Sequence, residues 1–147
     1  MGISLKPAGN DAQWFQINFW NWRPIVELIR SLDVIPDERA NELHQPYCGY
    51  GLSEAEAVAV AAVLEAKALP GLSESERVLL DGSSTTQPDD YVFHKEDLAL
   101  NYSTTKPVLE EFIRFCRTCK GFTVVKVFDL TSLTSPRCAA ATCFSRR

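Results

Sequence analysis

The clearest pattern in the chain is the run from 57 to 64, in which every residue is Ala, Val or Leu. Ser53 and Glu56 precede it at capping-box spacing, where each side chain satisfies an orphan backbone N–H of a first helical turn. Pro70-Gly71 stops it. The pattern predicts a helix over 54–69. Such a helix is apolar nearly all round, so it is expected at the buried centre of the fold.

A second helix is predicted over 24–32. Pro24 is read as its first helical position, where a missing N–H costs nothing. Ile25, Leu28, Ile29 and Leu32 give it one apolar face. The nine residues before Arg23, Trp-Phe-Gln-Ile-Asn-Phe-Trp-Asn-Trp, are aromatic and β-branched and predict a strand. Phe15, Ile17 and Phe19 then share one face; Trp14, Gln16, Asn18, Trp20 and Trp22 share the other. Pro36 opens a short helix with Asp37 and Glu38 in its first turn and Ala40 and Leu43 inward; Pro46 stops it.

Further along, 73–76 repeats the capping signature and predicts a short helix through Val78, Leu79 and Leu80. Tyr91-Val92-Phe93 reads as a short extended piece, and 95–100 as one or two helical turns. A last helix over 107–120 carries a stripe of Val108, Phe112, Phe115, Cys116 and Cys119, widened by Leu109 and Ile113. Gly121 is its expected left-handed cap, and 122–128 comes next as a strand. Residues 1–12 read as an irregular lead, 82–90 as a mobile surface loop and 131–147 as a poorly defined tail. The sum is one α+β domain, 1–147, mainly helical, with a small two- or three-stranded sheet built from 14–20 and 122–128.

Composition agrees with a single globular unit. The chain has 147 residues, 46% hydrophobic and 23% charged. A chain of this size buries about two-thirds of its unfolded surface and needs no metal or disulfide for a core. No run of about 20 apolar residues is present, so no membrane span is expected. The first residues lack the apolar run of a secretory signal, which predicts a cytoplasmic protein. Five cysteines in that compartment are expected to be reduced thiols.

The net charge of −4 conceals a polarity. Residues 1–50 carry a net −2, residues 51–100 a net −7 and residues 101–147 a net +5. The acidic middle argues against a nucleic-acid surface running the length of the chain. The basic end suits an acidic partner.

Three constellations carry candidate chemistry. Cys116 and Cys119, then Cys138 and Cys143, approach the spacing of a four-thiolate zinc site, although the second pair is spaced too widely. The competing reading packs Cys116 and Cys119 into the apolar stripe. Redox chemistry by the pair is disfavoured, because a helix C-terminus opposes thiolate. His44 with Cys48 is the one pairing suggestive of a Cys/His hydrolase-type enzyme. Trp20, Trp22 and Arg23, with His44 and Tyr47 as further lining, form a candidate binding cluster, since Trp and Arg dominate interface hot spots. Glu54 and Glu56 are explained by first-turn capping. No phosphate loop, dinucleotide fingerprint, HExxH or GxSxG motif is present.

Phe19-Trp20-Asn21-Trp22-Arg23-Pro24, the Gly51-Leu52-Ser53 that opens the alanine-rich helix, and Phe112, Phe115-Cys116-Arg117 and Gly121-Phe122 resemble a set of small bacterial proteins. These share an Asn-x-Trp-Arg-Pro segment and an aromatic-Cys-Arg helix ending in Gly-Phe. The likeness spans 14–123 and implies no particular activity. The expected function is a small, cytoplasmic, non-enzymatic protein-binding domain, toxin-neutralising or otherwise regulatory, with no cofactor. A zinc-stabilised module using Cys116, Cys119, Cys138 and Cys143 is the first alternative, and a minor enzyme of the Cys/His hydrolase type, built on Cys48 and His44, is the second. Metal analysis separates the first alternative from the expected function: binding protein and packed thiols predict less than about a tenth of an equivalent of zinc per chain, and a structural site predicts about one.

Overall fold

A computed structural model describes residues 2–46, 48–88, 96–97, 100 and 102–126. The fold is α+β, with two antiparallel sheets among the described residues. Strands β1 (Gly2–Pro7), β2 (Phe15–Asn18), β3 (Gly51–Ser53) and β7 (Gly121–Lys126) form a four-stranded sheet in the order β2-β1-β7-β3. Strands β4 (Arg77–Leu79), β5 (Ser84–Thr85) and β6 (Ser103–Thr105) form a smaller one in the order β5-β4-β6. The α-helices are α1 (Phe19–Ser31), α2 (Asp37–Leu43), α3 (Glu54–Val63) and α4 (Lys106–Thr118). No helix among the described residues is long and apolar enough to cross a membrane.

The lead expected to be irregular is the first correction. Residues 2–7 form β1, which lies inside the larger sheet between β2 and β7. Ile3, Ser4 and Leu5 are all buried, so both faces of β1 are covered. Only two apolar residues alternate here before Pro7, too short a pattern to read. Among the described residues the strands of the two segments 14–20 and 122–128, β2 and β7, therefore do not pair with each other; β1 separates them.

Helix α1 begins five residues earlier than the sequence pattern indicates. Asn18 is its N-cap, and its side-chain oxygen accepts the Asn21 backbone N–H at 2.8 Å. A capped turn at this point outweighs the strand preference of the aromatic run. Trp20, Trp22 and Arg23 thus lie on a helix rather than a strand. Pro24 lies inside that helix, not at its first position. Helix α2 forms where expected, with Ala40 and Leu43 buried.

Helix α3 has the predicted capping box of Ser53 and Glu56. It is not the buried centre. Ala57, Val60 and Ala61 face inward, while Val58 is 47% exposed. An all-apolar run has no preferred side, so its neighbours choose one. The expected end near Leu69 is reached through a wider π-helical turn, Leu64–Ala68, then a 3-10 turn, Leu69–Gly71. Arg117 of α4 pairs with Glu65 in that wider turn.

Arg39 on α2 ties that helix to β3 and α3. Its guanidinium donates to Glu56 Oε1 at 2.7 Å and Oε2 at 3.1 Å, to Glu42 at 2.6 Å and to the Gly51 carbonyl at 2.7 Å. The hydrogen bonds from Arg39 hold the Glu56 carboxyl below its ordinary range, against the opposing effect of burial. The Gly51 contact also occupies a carbonyl of β3, an edge strand of the sheet.

The helix expected at 77–80 is strand β4 instead. Ser73 N–H does donate to Glu76 Oε1 at 3.2 Å, half of a capping box. The chain then enters β4, because both strand partners are present: Val78 lies opposite Ser84 and Thr104. The supposed loop at 82–88 supplies one of them as β5; residues 89–90 and Tyr91-Val92-Phe93 lie outside the described residues, as do most of 95–100.

The core gathers around α4, as its stripe predicts. Leu109, Phe112, Ile113, Phe115, Cys116 and Cys119 are buried against Trp22, Ile25 and Ile29 of α1 and Phe122 and Val124 of β7. The left-handed turn after α4 begins one residue earlier than expected, at Lys120 with φ +59°; Gly121, the first residue of β7, follows at φ +92°, and a Cβ there would lie 2.8 Å from the Leu52 carbonyl oxygen. Gly121→Ala is expected to cost about 2 kcal/mol or more, from the backbone conformation and the clash together. Urea unfolding reads this as a lowered midpoint with an unchanged slope.

Candidate functional site

The N-cap at Asn18 starts α1 early enough to include Trp20 and Trp22, and the burial of Trp22 decides which side chains face outward. Trp22, Ile25, Val26 and Ile29 turn inward and are buried. Trp20, Arg23, Glu27 and Arg30 sit at three- and four-residue spacing along an outer flank. This splits the tryptophan cluster. Trp22 is 1% exposed. Its indole N–H donates to the Leu43 carbonyl at 3.0 Å, and its ring meets Phe112 and Phe122 edge-on at 5.8 and 6.5 Å. Trp22 is therefore a core residue and not a contact for a partner.

Trp20 and Arg23 remain half-buried on the flank. Both meet Tyr102, which directly precedes β6. The Trp20 and Tyr102 rings lie 4.8 Å apart at 34°. The Arg23 guanidinium carbon sits 4.9 Å from the Tyr102 ring centre and 5.7 Å from that of Phe19. Arg23 Nη1 donates to the Tyr102 hydroxyl at 3.3 Å. No carboxylate pairs with Arg23 among the described residues.

One turn further along α1, Glu27 is engaged through its Oε2. It accepts from Arg30 Nε at 3.0 Å and lies 3.3 Å from His44 Nε2. Burial opposes its ionisation, but Arg30 and His44 together hold its pKa below the ordinary value. Arg30 also donates to Asn41 of α2 at 2.6 Å. His44, just past α2, is thereby tied to the same helix. Burial lowers its pKa most; Glu27 opposes this, and the charges of Arg23 and Arg30 add to the lowering. Its Nδ1 is buried without a hydrogen-bond partner among the described residues.

The structure thus brings Trp20 and Arg23 together at Tyr102 and ties His44 to the same helix through Glu27. Tyr47 lies outside the described residues. Tyr102 was missed: it sits 79 residues from Arg23, and no local pattern marks such a contact. A second feature also went unread. An open groove of about 630 Å³ runs between the β1–β2 connection and α4, lined by Asp11, Trp14, Phe15, Glu111, Arg114 and Lys120 among others. Trp14 stands at it 44% exposed.

Cys116 and Cys119 are free, buried thiols. Burial pushes both above the ordinary thiol pKa, which disfavours thiolate at either sulfur. Cys138 and Cys143 lie outside the described residues. Among the described residues no cluster of three or more His, Cys, Asp or Glu side chains could hold a metal. Cys48 is disulfide-bonded. That corrects the expectation of reduced thiols throughout and leaves no Cys48 thiolate for His44 to activate.

No family model, curated protein or solved structure matches the chain. The geometry of the flank can be tested through its imidazole. His44 is expected to titrate below pH 6.5 in the folded protein. Below that pH the unfolded chain binds a proton that the folded chain resists. The contribution of His44 to stability is thus complete above pH 6.5 and is lost as pH falls through its folded value. Imidazole NMR, assigned with His94→Gln, measures the pKa; a value at or above 6.5 contradicts this environment. His44→Gln removes that part of the pH slope of stability.

Proposed function

We propose that this protein is a non-enzymatic protein-binding domain, of the toxin-neutralising or another regulatory kind, which docks through the outer flank of α1. One observation carries the reading: Trp20, Tyr102 and Arg23 form a half-exposed stack in which the arginine has no acidic partner among the described residues. These three residue types dominate interface hot spots, because Trp and Tyr offer large rigid rings with one polar end and Arg a flat guanidinium with a fork of donors. Side chains stacked in the free protein lose little further freedom on binding, which favours affinity. The neighbouring groups are not arranged for catalysis. The carboxylate of Glu27 is occupied by a cation and an imidazole, and Cys48 is oxidised.

The test is affinity capture from the source organism with immobilised wild-type protein and with Trp20→Ala, both checked for native near-UV circular dichroism. The proposal expects a protein retained by the wild type and weakened about tenfold or more by the variant. Equal capture by both, or no protein retained by the wild type, overturns it.

A further inference from the structure

The protein-binding reading above leaves open what the partner presents to this flank; we infer that it is a carboxylate, from an Asp or Glu side chain, received by Arg23. The inference rests on that reading for the partner being a protein, and on the arginine for the chemistry. Arg23 is half-buried, and its flat face is covered by Tyr102 at 4.9 Å and by Phe19 at 5.7 Å. A guanidinium carries five N–H donors in a fixed fork. Among the described residues only one contact draws on them, at the Tyr102 hydroxyl. Glu27, the acid one helical turn on, has the spacing to neutralise Arg23. Its carboxylate is committed instead to Arg30 and His44. Arg23 is therefore a partly desolvated charge whose acidic neighbour pairs elsewhere and whose donors, among the described residues, meet only the Tyr102 hydroxyl.

The aromatic stack also accounts for the choice of arginine. A guanidinium can lie flat on a ring and still present two parallel N–H groups at its rim, which match the two oxygens of a carboxylate. An ammonium group cannot do both. Trp20, stacked on the same Tyr102, supplies apolar surface beside the charge and would shelter the ion pair from water. A polyphosphate backbone fits less well. Glu27 flanks the arginine, and residues 51–100 carry a net −7, so the long-range field that draws nucleic acid is absent from much of the chain. A single acidic side chain needs only the local fork.

The experiment uses the full chain labelled with ¹⁵N and monitors the arginine Nε–H signals during titration. The probes are acetyl-hexaglutamate amide, acetyl-hexaglutamine amide and inorganic phosphate, at matched ionic strength. The inference expects the Arg23 signal to shift saturably with hexaglutamate, with Kd of about 1 mM or tighter, and not with hexaglutamine. Arg23→Lys, which keeps the charge, should weaken binding about fivefold or more; Arg114→Lys, at the separate groove, should leave it unchanged. No shift at Arg23, equal affinity in Arg23→Lys, or tighter binding of phosphate overturns the assignment. The two readings fail separately. If Arg23 ignores hexaglutamate while capture still depends on Trp20, the partner stands and the carboxylate falls. If hexaglutamate binds at Arg23 but capture is indifferent to Trp20, the reverse holds.

Discussion

The indole N–H of Trp22 points into the protein and finds the Leu43 carbonyl at 3.0 Å. That one bond joins α1 to the end of α2. The ring that carries it fills the space between α4 and β7, edge-on to Phe112 and Phe122. A buried tryptophan removes more apolar surface from water than any other side chain, and truncating one typically costs about 3–5 kcal/mol. Its N–H must also be satisfied, which fixes the ring's angle and with it the rotation of α1. The Leu43 carbonyl lies among the last, otherwise unpaired carbonyls of a short helix, so the same contact repairs the end of α2.

The rest of the molecule depends on that rotation. With Trp22 inward, helical geometry places Trp20 and Arg23 on the outer flank, because neither lies at the spacing of the inward set. The Asn18 cap starts the helix early enough for this to happen. Pro24 removes one backbone donor inside the helix, yet its ring is buried beside Ile25 and Val26. Packing there offsets part of the cost of the lost bond. On the other side of α2, the bidentate contact of Arg39 with Glu56 ties the helix to the capping box of α3. The two ends of α2 are thus held by different chemistry, one by a neutral hydrogen bond from a buried ring and one by an ion pair.

Much of this was legible in the chain. The capping box at Ser53 and Glu56, the stripe of α4 and the left-handed Gly121 are local signals, and each is present. What failed did so where distant neighbours decide. The run at 57–64 is apolar on every side, so nothing in it says which face is covered. β1 has only Ile3 and Leu5 to show, and its place inside the sheet depends on a strand over 100 residues away. The turn at 73–76 has a helix-start contact, but β5 and β6 are available to pair with residues 77–79. For the site, residue types were legible and orientation was not. Trp20, Trp22 and Arg23 stood out by density alone. Sorting Trp22 into the core and Arg23 onto the surface required the helix phase, and Tyr102 gave no signal before the chain was folded.

The tryptophans of α1 and of the β1–β2 connection have opposite environments, and the orientation of Arg23 depends on that difference. Hydrogen exchange of the three indole N–H groups, monitored by NMR, tests it directly. The Trp22 indole is bonded to Leu43 in a closed core and should exchange only through global or near-global unfolding, orders of magnitude more slowly than a free indole. The Trp14 indole, on an exposed ring, should exchange near the free rate. A Trp22 indole that exchanges as fast as Trp14 would contradict the packing that sets the orientation of Arg23.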